Sequence, residues 1–120
     1  MEEFTWIKPS EKTKLYNKLE MSYKNDSPEL LKNFLSSGGI IPNNYLKRFL
    51  EFKSHELTEV LIKYNLLENL ENDKLSDLVM NTIRFGRICN LELILENKNI
   101  RDKLVATKYQ VIKEILKYYE

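Results

Sequence analysis

The stretch at residues 27–41, Ser-Pro-Glu-Leu-Leu-Lys-Asn-Phe-Leu-Ser-Ser-Gly-Gly-Ile-Ile, carries the signals of a short helix. Ser27 can accept hydrogen bonds from the amides of a first helical turn. Pro28 suits the first helical position, because its missing N–H has no intrahelical partner there. The apolar face that follows consists of Leu30, Leu31, Phe34 and Leu35. Gly38 can adopt the left-handed conformation that ends a helix. The stretch therefore predicts a helix with a defined start, a buried face and a defined end.

Amphipathic segments of the same kind recur along the chain, and only three Gly and three Pro are present to build tight turns. This favours an all-α fold, with residues 1–120 forming a single domain. Gly86 is expected to end the helix before it, and residues 100–119 are expected to form one helix with a bend near 106–107. The other predicted helix starts are at Ser10, within Pro42-Asn43-Asn44, at Ser54 and at Asp73.

The start of the chain differs from the rest, because residues 1–9 show a rough alternation of apolar and polar residues. We expect an N-terminal arm whose Phe4 and Trp6 cover one end of the core. The helices themselves place apolar residues on one face at helical spacing. The predicted core positions include Leu19, Leu46, Phe49, Leu57, Val60, Leu61, Tyr64, Leu75, Leu78, Val79, Leu104, Val111 and Ile112.

The composition, with 42% hydrophobic and 31% charged residues, is that of a soluble globular protein. A net charge of +1 provides no overall field that would steer the chain to nucleic acid or to an anionic membrane. The single cysteine, Cys89, excludes an intramolecular disulfide and favours a reducing compartment. Since no apolar run is long enough to span a membrane and no signal-peptide pattern is present, a cytoplasmic protein with no membrane partner is predicted.

The helical segments also repeat. The segment that begins at Glu29 and the one that begins at Glu56 place acidic and then apolar residues at the same offsets, 27 positions apart. A second match, between the segments at residues 57–61 and 91–95, has an offset of 34. Both offsets are near the 33 or so residues of an ankyrin repeat, and each segment is preceded by a helix of its own. The repeat predicts helix pairs that must stack to bury their apolar faces.

Residues 29–39 resemble the second helix and following turn of an ankyrin repeat, in which an acidic residue, paired aliphatics, Lys, further aliphatics and Gly recur. The Thr-Pro-Leu-His tetrapeptide of regular ankyrin repeats is absent. The resemblance implies stacked antiparallel helix pairs, a fragment of an ankyrin-like α-solenoid; an irregular α-bundle is the alternative. It also implies that partners bind at the first helices and the turns between repeats. In this chain those positions are Ile40, Asn43, Asn44 and Lys47 in one repeat, and Glu68, Asn69, Glu71 and Asp73 in the next.

No pattern in the sequence indicates catalysis or a bound cofactor. His55 is the only histidine and Cys89 the only cysteine, whereas a zinc site needs several such ligands. We expect His55 to be a first-turn helix residue and Cys89 to be a small buried hydrophobe. Gly38 and Gly39 lack the spacing and the following Lys of a phosphate loop. The sequence therefore predicts no catalytic residue, no metal, no cofactor and no small-molecule substrate.

The remaining hypothesis is a protein-binding module. Residues 55–100 carry an excess of acidic side chains, which suits a basic partner. The favoured interpretation is a small stoichiometric inhibitor, such as an immunity protein that neutralises a nuclease toxin through a basic toxin domain. A virus-encoded ankyrin-like protein that captures a host factor is the alternative, and an enzyme using His55 is less favoured. Nucleic-acid binding, against which the near-neutral charge argues, would use Lys47, Arg48, Arg84, Arg87 and Lys113.

Overall fold

The computed structural model of the protein describes residues 11–51 and 55–120. The predicted arm at residues 1–9, with Phe4 and Trp6, lies outside these ranges. The predicted caps Ser10 and Ser54 also lie outside them.

The described residues form α-helices and one short 3-10 helix, with no strand, which confirms the all-α class. Most of the helices have fewer than ten residues, so their stability must come from packing more than from intrinsic helix propensity. The helices are α1 Glu11–Lys24, α2 Pro28–Ser36, α3 Asn43–Leu50, α4 Glu56–Lys63, α5 Asn72–Arg84, α6 Ile88–Glu96, α7 Lys98–Leu104 and α8 Gln110–Leu116, followed by the 3-10 helix Lys117–Tyr119.

The chain divides into two compact units, of which the first ends at Ile41. In this first unit α1 packs against α2. The Ser27 hydroxyl accepts a hydrogen bond from the Leu30 N–H at 3.2 Å, and Gly38 has a φ of +86°. Leu31 and Phe34 are fully buried. The start and the end predicted for this helix are therefore confirmed, and of its predicted apolar face Leu30 and Leu35 are only half-buried.

The second unit, Pro42–Glu120, contains the six helices α3 to α8 and the 3-10 helix at its end. Within it α3 packs against α4 and α5, α5 packs against α6, α7 and α8, and α4 packs against α6. Further contacts join α6 to α7, α7 to α8 and α8 to the 3-10 helix. Its buried apolar residues are Leu46, Phe49, Leu50, Leu57, Val60, Leu61, Leu67, Leu75, Leu78, Val79, Leu91, Ile94, Leu95, Ile100, Leu104 and Ile112. The prediction of one domain for the whole chain stays a prediction.

Side chains from later helices bind carbonyl groups at the ends of earlier segments of the second unit. Asn90 Nδ2 donates to the buried carbonyl of Leu50 at 2.9 Å, and Arg87 Nε donates to that of Glu51 at 2.5 Å. These two carbonyls lie at the carboxyl end of α3, where a helix has no internal donors left. Arg101 Nη1 donates in the same way to the carbonyl of Leu95 near the end of α6, at 2.6 Å. The carboxyl end of α3 is therefore closed by residues 36 and 40 positions further along the chain, and that of α6 by a residue of the next helix.

Lys103 makes the same kind of contact with a turn. Its Nζ donates to the carbonyl of Glu68 at 2.7 Å and also to that of Leu70. Both carbonyls belong to the irregular segment between α4 and α5, which is a sequence of turns with Asn65 at a φ of +59°. One ammonium group thus satisfies two carbonyls of a segment that has no regular hydrogen-bonding pattern of its own.

The helix start predicted within Pro42-Asn43-Asn44 is confirmed: Pro42 occupies the cap position of α3, without a side-chain cap bond, and the helix begins at Asn43. Two other predicted details of the helices are wrong. Residues 100–119 are not one helix, because α7 ends at Leu104 and α8 begins only at Gln110. The helix expected from Asp73 begins one residue earlier, at Asn72, while Gly86 does follow its end with a φ of +69°.

Three predicted burials are also wrong. Val111 is 45% exposed, because the break before α8 resets the helical phase and turns Ile112 inward instead. Tyr64 is 37% exposed, since it follows the last residue of α4 and no longer continues its apolar face. Cys89, expected to be a buried hydrophobe, is exposed in the first turn of α6.

Candidate binding groove

An open groove of about 460 Å³ lies on the second unit. It is bounded by α3, by one face of α5 and by the segment just before α8. Polar side chains predominate in its lining, and Leu78 is the one apolar residue. The lining residues are Asn43, Asn44, Lys47, Lys74, Asp77, Leu78, Asn81, Arg84, Lys108 and Tyr109.

The periodicity of an α-helix explains how α5 contributes half of the residues that line this groove. Lys74, Asp77, Asn81 and Arg84 are spaced by three or four residues, which places them along one side of a helix. The opposite side of α5 is buried, with Leu75 and other apolar residues in the core. The core of the unit therefore fixes which polar residues of α5 face the groove.

The groove is cationic although the whole chain is close to neutral. Four of its lining residues, Lys47, Lys74, Arg84 and Lys108, carry a positive charge, and Asp77 carries the single negative charge. Lys74 is partly balanced, because its Nζ lies 3.7 Å from an oxygen of Glu71.

The other three cations differ from Lys74. Among the described residues Lys47, Arg84 and Lys108 form no ion pair. All three are exposed. The field of the groove therefore comes mainly from these three side chains.

Asp77 is held by a tyrosine. Tyr109 Oη donates to Asp77 Oδ1 at 2.6 Å, across 32 residues of sequence. This hydrogen bond raises the pKa of Tyr109 above its ordinary value, helped by partial desolvation and by the negative charge of Asp77, while Arg84 opposes the shift. Lys108 Nζ lies 5.3 Å from the centre of the Tyr109 ring, within the range of a cation–π interaction. The segment before α8 is thus fixed to α5 by a side-chain contact inside the groove.

The structure brings together three of the residues predicted to bind a partner. Asn43, Asn44 and Lys47 are exposed on α3 and line the groove. Asn43 and Asn44 are the first two residues of that helix, so their backbone N–H groups have no intrahelical acceptor. Glu71 is also exposed and adjoins the groove through its ion pair with Lys74.

The other predicted residues are not part of the groove lining. Ile40 belongs to the first unit and is 78% exposed. Asn69 and Asp73 are exposed, whereas Glu68 is half-buried and its carbonyl is bound by Lys103. The acidic segment at residues 68–73 therefore forms a surface separate from the lining of the groove.

Several lining residues were not among the predicted partner-binding set: Lys74, Asp77, Leu78, Asn81, Arg84, Lys108 and Tyr109. The polar residues of α5 could have been found from their helical spacing, which mirrors that of the apolar face. Lys108 and Tyr109 carry no such signal, because they lie in the break between two helices and reach the groove only through the tertiary fold.

The described residues offer little other chemistry. No group of three or more His, Cys, Asp or Glu side chains in them is arranged to hold a metal ion. His55 Nε2 lies 3.2 Å from Glu59 Oε1, and both side chains are exposed. Cys89 lines a second, smaller hollow of about 270 Å³, which is bounded by residues 86–90 and so contains no histidine. None of the helices described has the length and apolar character that crossing a membrane requires.

Comparisons with known proteins add no assignment to this geometry. No family model, no curated protein and no solved structure matches the chain.

Proposed function

We propose that this chain is a non-catalytic protein-binding module whose binding face includes the groove on α3 and α5. The supporting observation is that Asn43, Asn44 and Lys47, expected to contact a partner, lie exposed in one groove together with Arg84 and Tyr109. Arg and Tyr are among the residues most enriched at the energetic centres of protein interfaces.

The packing of the helix pairs supports an ankyrin-like stack as part of this proposal. In the second unit α3, α5 and α7 contact one another in sequence as the first helices of successive pairs, and the second helices α4 and α6 contact each other. This is the nearest-neighbour pattern of a solenoid. The resemblance to ankyrin repeats implies binding at first helices, and the groove is lined by two of them.

Within this class we favour a cytoplasmic, stoichiometric inhibitor, such as an immunity protein that neutralises a toxin. A basic nuclease would be repelled by the cations of the groove and would be met instead by Glu68, Glu71 and Asp73. A virus-encoded protein that captures a host factor is the alternative within the same class. The cationic groove and the acidic residues 68–73 predict opposite changes in partner affinity when their charges are reversed. Charge reversal therefore tests whether the partner is acidic or basic.

Nucleic-acid binding is the second candidate function, and a specific observation favours it. Lys47 and Arg84, two of the five residues named for it from the sequence, line the same groove together with Lys74 and Lys108. Arg87 and Arg48 are engaged elsewhere, with the carbonyl of Glu51 and the ring of Tyr45. This candidate requires binding that falls steeply with salt.

The test begins with capture of partners by the tagged full-length chain from its native host and identification by mass spectrometry. A recombinant partner is then titrated calorimetrically against three triple variants. The groove variant carries Lys47→Glu, Arg84→Glu and Lys108→Glu; the acidic-segment variant carries Glu68→Lys, Glu71→Lys and Asp73→Lys; and the control carries Lys18→Glu, Lys63→Glu and Lys113→Glu at exposed positions outside the groove.

We expect one protein partner at a 1:1 ratio, with affinity reduced about tenfold or more by the groove variant and little changed by the control. A basic toxin would give the opposite result, with affinity lowered by the acidic-segment variant and raised by the groove variant. Capture of nucleic acid alone would contradict the protein-binding proposal and support the second candidate. A partner that binds all three variants equally well would support a protein-binding function. It would show that neither the groove nor the acidic segment at residues 68–73 forms the binding surface.

A further inference from the structure

We infer that the groove takes a short acidic segment of a partner protein, whose carboxylates lie opposite Lys47, Arg84 and Lys108. This inference rests on the proposed protein-binding function and adds the chemistry of the ligand. The alternatives, a single-stranded nucleic acid and a basic surface, are outcomes of the test.

The local charge of the groove favours an anionic ligand. Lys47, Arg84 and Lys108 line one groove, and within the described parts of the chain no carboxylate lies within ion-pair distance of them. A chain with a net charge of +1 has acidic residues enough to balance such a cluster, yet here they lie elsewhere. Cations gathered in a concave surface repel one another and concentrate a field that an anionic ligand relieves.

The one carboxylate in the groove, that of Asp77, already has a partner inside the protein. Asp77 accepts a hydrogen bond from the Tyr109 hydroxyl at 2.6 Å, so part of its hydrogen-bonding capacity is already used inside the protein. None of Lys47, Arg84 and Lys108 lies within ion-pair distance of Asp77, so all three are available to an external anion.

The aromatic rings in and near the groove favour a peptide ligand over a nucleic acid. Single-stranded nucleic acids are bound by aromatic faces on which bases stack. The ring of Tyr109 carries the Lys108 ammonium on one face and holds Asp77 through its hydroxyl. The nearest aromatic residue along α3, Tyr45, carries the guanidinium of Arg48 at 4.8 Å from its ring centre. A duplex, in turn, is read by a projecting helix or strand, whereas these cations line a concave surface.

The amide side chains of the groove complete the match to a peptide. Asn43 and Asn44 present exposed donors and acceptors at one side. Asn81 Nδ2 donates to Glu51 Oε2 at 2.8 Å, which leaves its carbonyl oxygen to accept a hydrogen bond from a ligand. A volume of about 460 Å³ is within the range of pockets that hold small ligands, so it suits a few residues of extended chain better than a folded domain.

The direct test uses fluorescein-labelled octaglutamate as the probe and fluorescence anisotropy as the readout, with the full-length chain at low ionic strength. We expect saturable binding that weakens about tenfold or more in the groove variant Lys47→Glu, Arg84→Glu, Lys108→Glu. The control variant Lys18→Glu, Lys63→Glu, Lys113→Glu has the same net charge as the groove variant, so it isolates the position of the charges from their number. Circular dichroism verifies that both variants are folded.

For a further variant we expect a gain in octaglutamate affinity, which misfolding could not explain. Asp77→Asn removes the one carboxylate of the groove, and we expect octaglutamate to bind severalfold more tightly. Labelled oligouridylate and octalysine are titrated in parallel. The inference would be overturned by tighter binding of oligouridylate or of octalysine than of octaglutamate at the same salt concentration. Absence of saturable octaglutamate binding, or equal losses in the groove and control variants, would also overturn it. A captured protein partner that is indifferent to the groove variant would overturn it too, while leaving the protein-binding function in place.

Discussion

At the scale of single residues, the two glycines that follow α2 are required for different physical reasons. Gly38 has a φ of +86°, and a Cβ placed on it would meet no atom within 4 Å, so only its backbone conformation restricts substitution. A Cβ on Gly39 would lie 2.5 Å from Cε2 and Cζ of the Phe34 ring. Phe34 is fully buried, so its ring has little room to retreat.

We therefore expect Gly39→Ala to lower the free energy of unfolding by about 1–3 kcal/mol, as overpacking of a core does. Urea unfolding followed by circular dichroism measures the change. Ser36→Ala, at an exposed position of the same helix, is the control and is expected to have little effect. An unchanged unfolding midpoint for Gly39→Ala would mean that the Phe34 ring moves aside without cost.

Tyr109 gives a second prediction at this scale. Its pKa is raised above 10.0, chiefly by the hydrogen bond to Asp77. Since the raised value belongs to the folded state, the bond stabilises the fold fully below the ordinary tyrosine pKa and is lost as pH rises through the folded one. We expect Asp77→Asn to lower the pKa of Tyr109, followed through the NMR shift of its ring Cζ. A titration curve that does not move in the variant would contradict the assigned cause.

At the scale of the helices and turns, Lys103 connects α7 to the irregular segment between α4 and α5. Its ammonium donates to the carbonyls of Glu68 and Leu70. Hydrogen bonds from a charged donor contribute more to stability than neutral ones, and removing the donor leaves the acceptors to find water. The segment that carries the acidic residues 68–73 is therefore held in place from α7.

We expect Lys103→Met, which keeps the length of the side chain and removes its charge, to lower the free energy of unfolding by about 1.5–3 kcal/mol. The matched control is Lys98→Met on the same helix, where Lys98 makes only an exposed ion pair with Asp102 at 3.0 Å and less than about 1 kcal/mol is expected. Thermal and urea unfolding of both variants measure the difference. Equal effects would show that the carbonyl contacts contribute no more than a surface ion pair.

The same scale shows how far the sequence predicts this protein. Amphipathic spacing and local caps were sufficient for the all-α class and for the ends of α2, because those signals act within a few residues. They failed at Val111 and Cys89, whose exposure depends on where one helix stops and the next begins. Half of the groove follows from the polar face of α5, but Lys108 and Tyr109 enter it only because α5, α7 and α8 pack together.

At the scale of the whole molecule, side chains late in the second unit donate hydrogen bonds to backbone carbonyls of earlier segments. Arg87 and Asn90 bind the carbonyls that end α3, and Lys103 binds those of the turn that follows α4. The end of α3 and the turn after α4 therefore receive hydrogen bonds that only later helices can supply. These bonds supplement the apolar burial between neighbouring helices.

During synthesis on the ribosome, this direction means that α3 is exposed to solvent at its carboxyl end until some forty more residues have been added, since Asn90 lies 40 positions after Leu50. We expect stalled nascent chains to remain sensitive to protease in the α3–α4 region until Asn90 has left the exit tunnel. Protection at an earlier length would contradict this expectation. The acquisition of protease resistance would then be set by the later-made half of the polypeptide, and premature termination there would release a product that quality-control proteases can remove.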